Sequence, residues 1–167
     1  MAIILITGGA RSGKSIHAEA RAKTFAGKPV YVATAEALDA EMRERIAGHR
    51  ARRGGDWIEH ETPLELVAAL NVTDGGGARL VDCLTLWLSN LVHAERDWSK
   101  ETERLTESLR AQKSPVVLVS NEVGLGIVPD NALARQFRDA AGTMNQTIAR
   151  AADEVEFVVA GLPMRVK

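Results

Sequence analysis

Apolar positions along the chain follow two rhythms. Short runs at 3–7, 30–34, 79–83, 116–120 and 155–160 are continuously rich in Val, Ile and Leu, the pattern of parallel strands covered on both faces. Between them the spacing changes to three and four. Leu133, Phe137, Ala141, Met144, Ile148 and Ala152 share one face of a helix predicted over 131–152, and that stripe reads as core. Thr62-Pro63-Leu64-Glu65 combines an N-cap, a first-turn proline and a capping-box glutamate, which predicts a helix over 62–70. Ser99 is the expected cap of another helix carrying Leu105 and Leu109. Gly75-Gly76-Gly77 reads as a flexible connection and 50–55 as a polar loop; neither is long enough for a domain linker. Strands alternating with helices predict one α/β domain over 1–167, with a mostly parallel central sheet flanked by helices and ligands at the carboxyl ends of the strands.

The first run leads directly into Gly8-Gly9-Ala10-Arg11-Ser12-Gly13-Lys14-Ser15, a full G-x-x-x-x-G-K-[ST] phosphate loop, followed by a helix-forming stretch. Gly8 and Gly13 are expected to allow positive φ and close approach of backbone N–H groups to a phosphate chain. Lys14 would reach the outer phosphates, and the Ser15 hydroxyl would ligate Mg²⁺. An ordinary strand-to-helix turn needs neither Lys14 nor Ser15, so the coincidence favours a nucleotide site.

Composition narrows the partner. At 167 residues and a formal net charge of −1, no broad positive field draws in nucleic acid or an anionic membrane. A small-molecule substrate is expected. Cys83 is the single cysteine, which excludes an internal disulfide and suits a reducing cytoplasm. No apolar stretch reaches membrane-spanning length, and Met1 leads straight into a strand without a secretory leader. A soluble, cytoplasmic enzyme is the expectation.

Further chemistry is proposed by position. Asp82 ends an apolar strand where a Mg²⁺-organising acid would lie, but it equally suits a cap for a helix starting near Leu84. Leu38, Met42 and Ile46 are four apart on a helix face, and His49 follows on nearly the same face after Gly48. From pattern alone His49 is an apolar-face filler; Arg50, Arg52 and Arg53 beside it make phosphate binding and a nucleophilic imidazole plausible, although by themselves the arginines read as an exposed, solvated basic turn. His60, between Glu59 and Glu61, lacks further metal-ligand spacing. The apolar, glycine-rich 121–129 loop after the fourth strand suits close approach of backbone to a ligand. For Arg135, Arg138 and Asp139, a solvated salt-bridged helix face is favoured slightly over charge presented to that loop.

Taken together, Ile-Thr-Gly-Gly-Ala-Arg-Ser-Gly-Lys-Ser (6–15), Tyr-Val-Ala-Thr-Ala (31–35), Glu41-Met42 and Arg45-Ile46 leading to His49-Arg50, Val-Asp-Cys-Leu-Thr-Leu-Trp-Leu-Ser-Asn (81–90), Ser-Asn-Glu-Val-Gly-Leu-Gly-Ile-Val-Pro (120–129), Phe137-Arg138-Asp139 with Gly142 and Asn145-Gln146, and Ala-Gly-Leu-Pro (160–163) resemble the bifunctional adenosylcobinamide kinase / adenosylcobinamide-phosphate guanylyltransferase family of cobalamin biosynthesis. The resemblance spans essentially the whole chain. It implies a RecA-like phosphate-loop NTPase fold, a homotrimer, and two reactions. In the first, ATP or GTP phosphorylates adenosylcobinamide; in the second, GMP from GTP passes through a guanylylated histidine to adenosylcobinamide phosphate. His49 matches that histidine, and Gly8 to Ser15, Thr34, Arg50, Ala51, Arg52, Arg53, Glu61 and Asp82 match positions around the nucleotide. Some family members carry two adjacent histidines where this chain has Gly48-His49. Three rivals remain: a kinase of another small molecule that never uses His49, a nucleotide-responsive regulatory module, and a weaker DNA-binding role resting on 50–53.

Overall fold

The computed structural model describes every residue except Leu38, and the side chains of Glu41 and Arg45 are also outside the description. Leu38, expected on one helix face with Met42 and Ile46, therefore lies outside the described residues. The elements run β1 (Ile3–Gly8), α1 (Lys14–Lys23), β2 (Val30–Ala33), α2 (Ala40–Arg53), β3 (Ile58–Glu61), α3 (Leu66–Val72), β4 (Arg79–Asp82), α4 (Leu84–His93), α5 (Trp98–Ala111), β5 (Val116–Asn121), α6 (Ala132–Ala151), β6 (Glu154–Val159) and β7 (Leu162–Arg165). Seven strands form one sheet in the order β3-β2-β4-β5-β1-β6-β7. Every pairing is parallel except β6 with β7.

The continuous apolar runs have a direct cause. Ile3, Leu5, Val32, Val81, Leu118 and Val155 turn toward a layer built by α3 to α6, where Trp87, Leu88, Leu105, Met144 and Ile148 are buried. Their neighbours Ile4, Ile6, Tyr31, Leu80, Val119 and Val158 face the other layer, with Ala18 and Ala22 of α1 and with Trp57. Burial on both sides removes the polar positions that alternation would require.

Two strands escaped the sequence pattern, β3 and β7. Three of the four residues of β3 are polar, and it pairs only with β2 at the sheet edge. Strand β7 is exposed along its length and pairs only with β6. Edge strands bury too little to need an apolar run.

Helix boundaries also moved. The helix expected from Thr62 begins at Leu66, and Glu65 occupies its cap position without a side-chain bond. The reason is tertiary: Thr62 N donates to Ala33 O at 2.8 Å, while Pro63 O accepts Asn90 Nδ2 and Leu64 O accepts Trp87 Nε1. Asp97, rather than Ser99, caps α5 by accepting from Lys100 N. The 50–55 polar loop is instead the last turn of α2 and a short 3-10 turn, Gly54–Asp56. The long helix begins as expected, with Asn131 accepting from Ala134 N, but Leu133 is exposed rather than core.

Candidate active site

Parallel pairing aligns the carboxyl ends of five strands. Gly8 is level with Asn121, and Ala33 with both Asp82 and Glu61. Above this edge lies a cavity of about 480 Å³ whose walls include Lys14, Ser15, Tyr31, His49, Asp82 and Asn121.

The phosphate loop bridges β1 and α1. Gly13 holds φ +92°, a left-handed conformation costly for residues with a Cβ. Gly8 contributes close packing rather than positive φ: a Cβ there would lie 2.5 Å from Val158 O and 2.7 Å from Ser12 Oγ. Gly161, in the β6–β7 turn, donates its N–H to Ser12 O at 2.8 Å, so the edge hairpin buttresses the loop. Gly9, Ala10, Arg11 and Ser12 complete the turn, with Arg11 at φ 55°. The buried Lys14 ammonium donates to Gly9 O at 3.0 Å.

Helix α2 brings His49 to this wall. Met42 and Ile46 line the cavity beside it. The imidazole is partly exposed, and its Nδ1 lies 3.8 Å from Asp82 Oδ2. Asp82 does not cap α4, whose cap position is Cys83; its carboxylate instead accepts the Tyr31 hydroxyl at 2.8 Å. Burial, then the Asp82 charge, pushes the Cys83 thiol up to about 11, leaving it an inert small apolar group.

The last turn of α2 is anchored by its arginines. Arg50 donates to Glu59 and Glu61 at 2.6 and 2.7 Å, and Arg52 donates to Glu19 of α1 at 2.6 Å. Arg53 donates to Glu59 at 2.7 Å and stacks 3.5 Å over the Tyr31 ring. Burial alone would raise the Glu59 carboxyl, but the Arg53 hydrogen bond and the charges of Arg50 and Arg53 outweigh it and hold it below its ordinary value. The arginines thus form a carboxylate-paired clamp rather than a solvated basic turn.

Among the residues anticipated at a nucleotide, Lys14, Ser15, His49, Arg50, Arg53, Glu61 and Asp82 share the cavity wall. Ala51 and Arg52 are not among the residues that line it, and Arg52 is engaged with Glu19. The Thr34 side chain is fully buried: its hydroxyl donates to Cys83 O and accepts from Cys83 N, linking β2 to the end of β4. His60 sits in β3, and no group of three His, Cys, Asp or Glu suited to a metal occurs among the described residues. Arg135 donates to Pro129 O and Asp130 O and so ties the 121–129 loop to α6, whereas Arg138 pairs with its neighbour Asp139.

Sequence reasoning passed over Tyr31 as a site residue. A usable signal existed: the single tyrosine of the chain sits inside an apolar strand, where its hydroxyl requires a partner.

The fold and the sequence match known proteins. Solved structures of similar shape include the flagellar accessory protein FlaH of Methanocaldococcus jannaschii, at TM-score 0.55 and 13% identity over 99% of this chain and 78% of that one. The KaiC-like protein PH0186 of Pyrococcus horikoshii gives TM-score 0.54 at 12% identity, over 93% and 70%. These share the expected RecA-like phosphate-loop architecture. In sequence, the chain is 48% identical to the bifunctional adenosylcobalamin biosynthesis protein CobP of Pseudomonas aeruginosa, over 98% of this chain and 96% of that protein. It is 41% identical to the corresponding CobU of Salmonella typhimurium, over 99% of each. Residues 4–166 match the model of cobinamide kinase / cobinamide phosphate guanyltransferase, and the chain belongs to that enzyme family.

Proposed function

We propose that one cavity serves two successive reactions of cobalamin biosynthesis: phosphorylation of adenosylcobinamide by ATP or GTP, then transfer of GMP from GTP through a guanylylated His49 to adenosylcobinamide phosphate, with release of pyrophosphate. The observation that carries the reading is the presence of His49 in the same cavity wall as Lys14 and Ser15 of the phosphate loop.

In the first reaction the loop N–H groups and Lys14 bind the phosphate chain and neutralise charge as the γ-phosphoryl group moves to the corrinoid's aminopropanol hydroxyl. In the second, a His49 nitrogen attacks the α-phosphorus and expels pyrophosphate, and an oxygen of the corrinoid phosphate then attacks the same phosphorus and displaces the imidazole, so one difficult exchange is split into two. Arg50, Arg53 and Glu61 line the space around the nucleotide.

Ser15 and Asp82 suit Mg²⁺, a hard cation bound by one or two protein oxygens together with phosphate oxygens. When bound it would supply positive charge against the phosphates.

A homotrimer agrees with the exposed Leu125, Ile127, Val128 and Leu133 beyond the cavity-lining Asn121, apolar surface that a neighbouring subunit would cover. No helix among the described residues is long and apolar enough to cross a membrane.

The test is incubation of the purified protein with Mg²⁺ and GTP labelled at the α-phosphate. Acid-labile, alkali-stable label is expected on the wild-type chain and none on His49→Ala. An unlabelled wild type that still transfers the γ-phosphate would reduce the protein to a kinase.

A further inference from the structure

One carboxylate oxygen in the cavity has two neighbours. Asp82 Oδ2 accepts the Tyr31 hydroxyl at 2.8 Å and stands 3.8 Å from His49 Nδ1. We infer that Tyr31 is a positioning residue for the guanylyl transfer: its hydroxyl fixes Asp82 opposite His49 Nδ1, so that Nδ1 carries the ring proton and Nε2 receives the guanylyl group. This rests on the guanylyl-histidine reading above and deepens it by naming the reacting nitrogen.

An ionised carboxylate is acceptor only, so the imidazole nitrogen facing it is the one that bears hydrogen. At 3.8 Å the two atoms are outside hydrogen-bond reach; closing by about 1 Å would form the bond, and such bonds tighten when substrate is bound.

The phenol is suited to hold the carboxylate still. Its hydroxyl is the donor of the 2.8 Å bond to Asp82 Oδ2. The ring cannot drift. Arg53 stacks over its face at 3.5 Å, and Trp57 meets it edge-on with centroids 6.0 Å apart. Arg53 is itself buried, its Nε and Nη1 have no hydrogen-bond partner among the described residues, and it is held by the ring face and Glu59. His49 and Arg53 are four apart on α2 and so share a face. The contact that steadies the phenol also seats the turn that carries the nucleophile.

The chemistry balances without moving the ring proton. The Nε2 lone pair forms an N–P bond to the α-phosphorus as the bond to the bridging oxygen breaks, and pyrophosphate leaves with that electron pair. The ring, still protonated at Nδ1, becomes positive beside the Asp82 carboxylate. An oxygen of the corrinoid phosphate then forms an O–P bond, the N–P bond breaks, and its electron pair returns to Nε2.

The experiment is to guanylylate the protein with GTP, digest it under alkaline conditions, and assign the linkage by ³¹P NMR and fragmentation mass spectrometry. Guanylylation and γ-phosphoryl transfer rates are then measured for wild type and Tyr31→Phe, the latter retaining the ring. Attachment at Nε2 is expected. In Tyr31→Phe guanylylation should slow by about 10–100-fold relative to γ-phosphoryl transfer by the same protein, the usual scale for losing an orienting partner. Attachment at Nδ1, or an unchanged ratio of the two rates, overturns the inference while leaving the guanylyl-histidine intact. A wild-type chain with no label on His49 overturns both. Should Tyr31→Phe lose its thermal transition, the wild-type linkage still decides.

Discussion

His49 Nδ1 and Asp82 Oδ2 stand 3.8 Å apart, one on helix α2 and the other at the end of strand β4, in the cavity wall that also holds Lys14 and Ser15. The helix and the strand share no local sequence signal that announces this meeting. Arg50, Arg52 and Arg53 tie the end of α2 to β3 and α1.

Asp82→Asn removes the negative charge beside the imidazole while keeping its shape and an acceptor for Tyr31. Guanylylation measured from α-labelled GTP is expected to fall by about 10–100-fold. A wild-type rate would mean that the Asp82 charge does not assist the nucleophile.

Gly8→Ala tests the packing beneath the phosphate loop. The new Cβ would meet Val158 O, a backbone atom that cannot rotate away, at 2.5 Å. The loop must shift, so GTP affinity is expected to drop at least 10-fold, an effect of about 1.4 kcal/mol. Titration calorimetry checks it, and wild-type affinity would show that the strand yields instead.

Asp74→Ala tests the pair between buried Arg79 and half-buried Asp74, neither of which lines the cavity. Arg79 is fully buried and donates to Asp74 at 2.8 Å and to Gln112 at 2.6 Å. Removing the carboxylate strands that cation, and a loss of about 3 kcal/mol is expected in urea unfolding. A loss under about 1 kcal/mol would mean that Gln112 suffices.

Acid stability should carry the same signature. Burial by itself would raise Asp74, but backbone N–H groups of Ser114 and Lys113 and the Arg79 charge outweigh it and depress the folded-state value. A depressed carboxyl contributes stability that is present above the unfolded value of about 3.9 and lost as pH falls through the folded one. Below about pH 4, wild type should therefore lose stability more steeply than Asp74→Asn. Parallel curves in chemical unfolding at graded pH would remove Asp74 from the acid response.

Much of this molecule was readable from local pattern, and the reasons are physical. The apolar runs became β1, β2, β4 and β5 because strands covered on both faces must be apolar, and the fifth became β6, where Val155 and Val158 are buried on opposite faces while Val159 is exposed. Asn131 capped α6 because an asparagine side chain can satisfy the first backbone N–H groups of a helix wherever the helix lies. At Thr62 the same logic failed, since the backbone there bonds to Ala33, Trp87 and Asn90, partners distant in the chain.

The sequence by itself determined the parallel α/β class, the phosphate loop with Lys14 and Ser15, and through the combined motifs the family, because each is written in neighbouring residues and their spacing. Only the tertiary structure decided that Thr34 links two strands, that Arg50, Arg52 and Arg53 meet carboxylates, and that Tyr31 and His49 converge on Asp82. Such pairings depend on which strand ends the sheet order brings side by side, and no local spacing encodes that order.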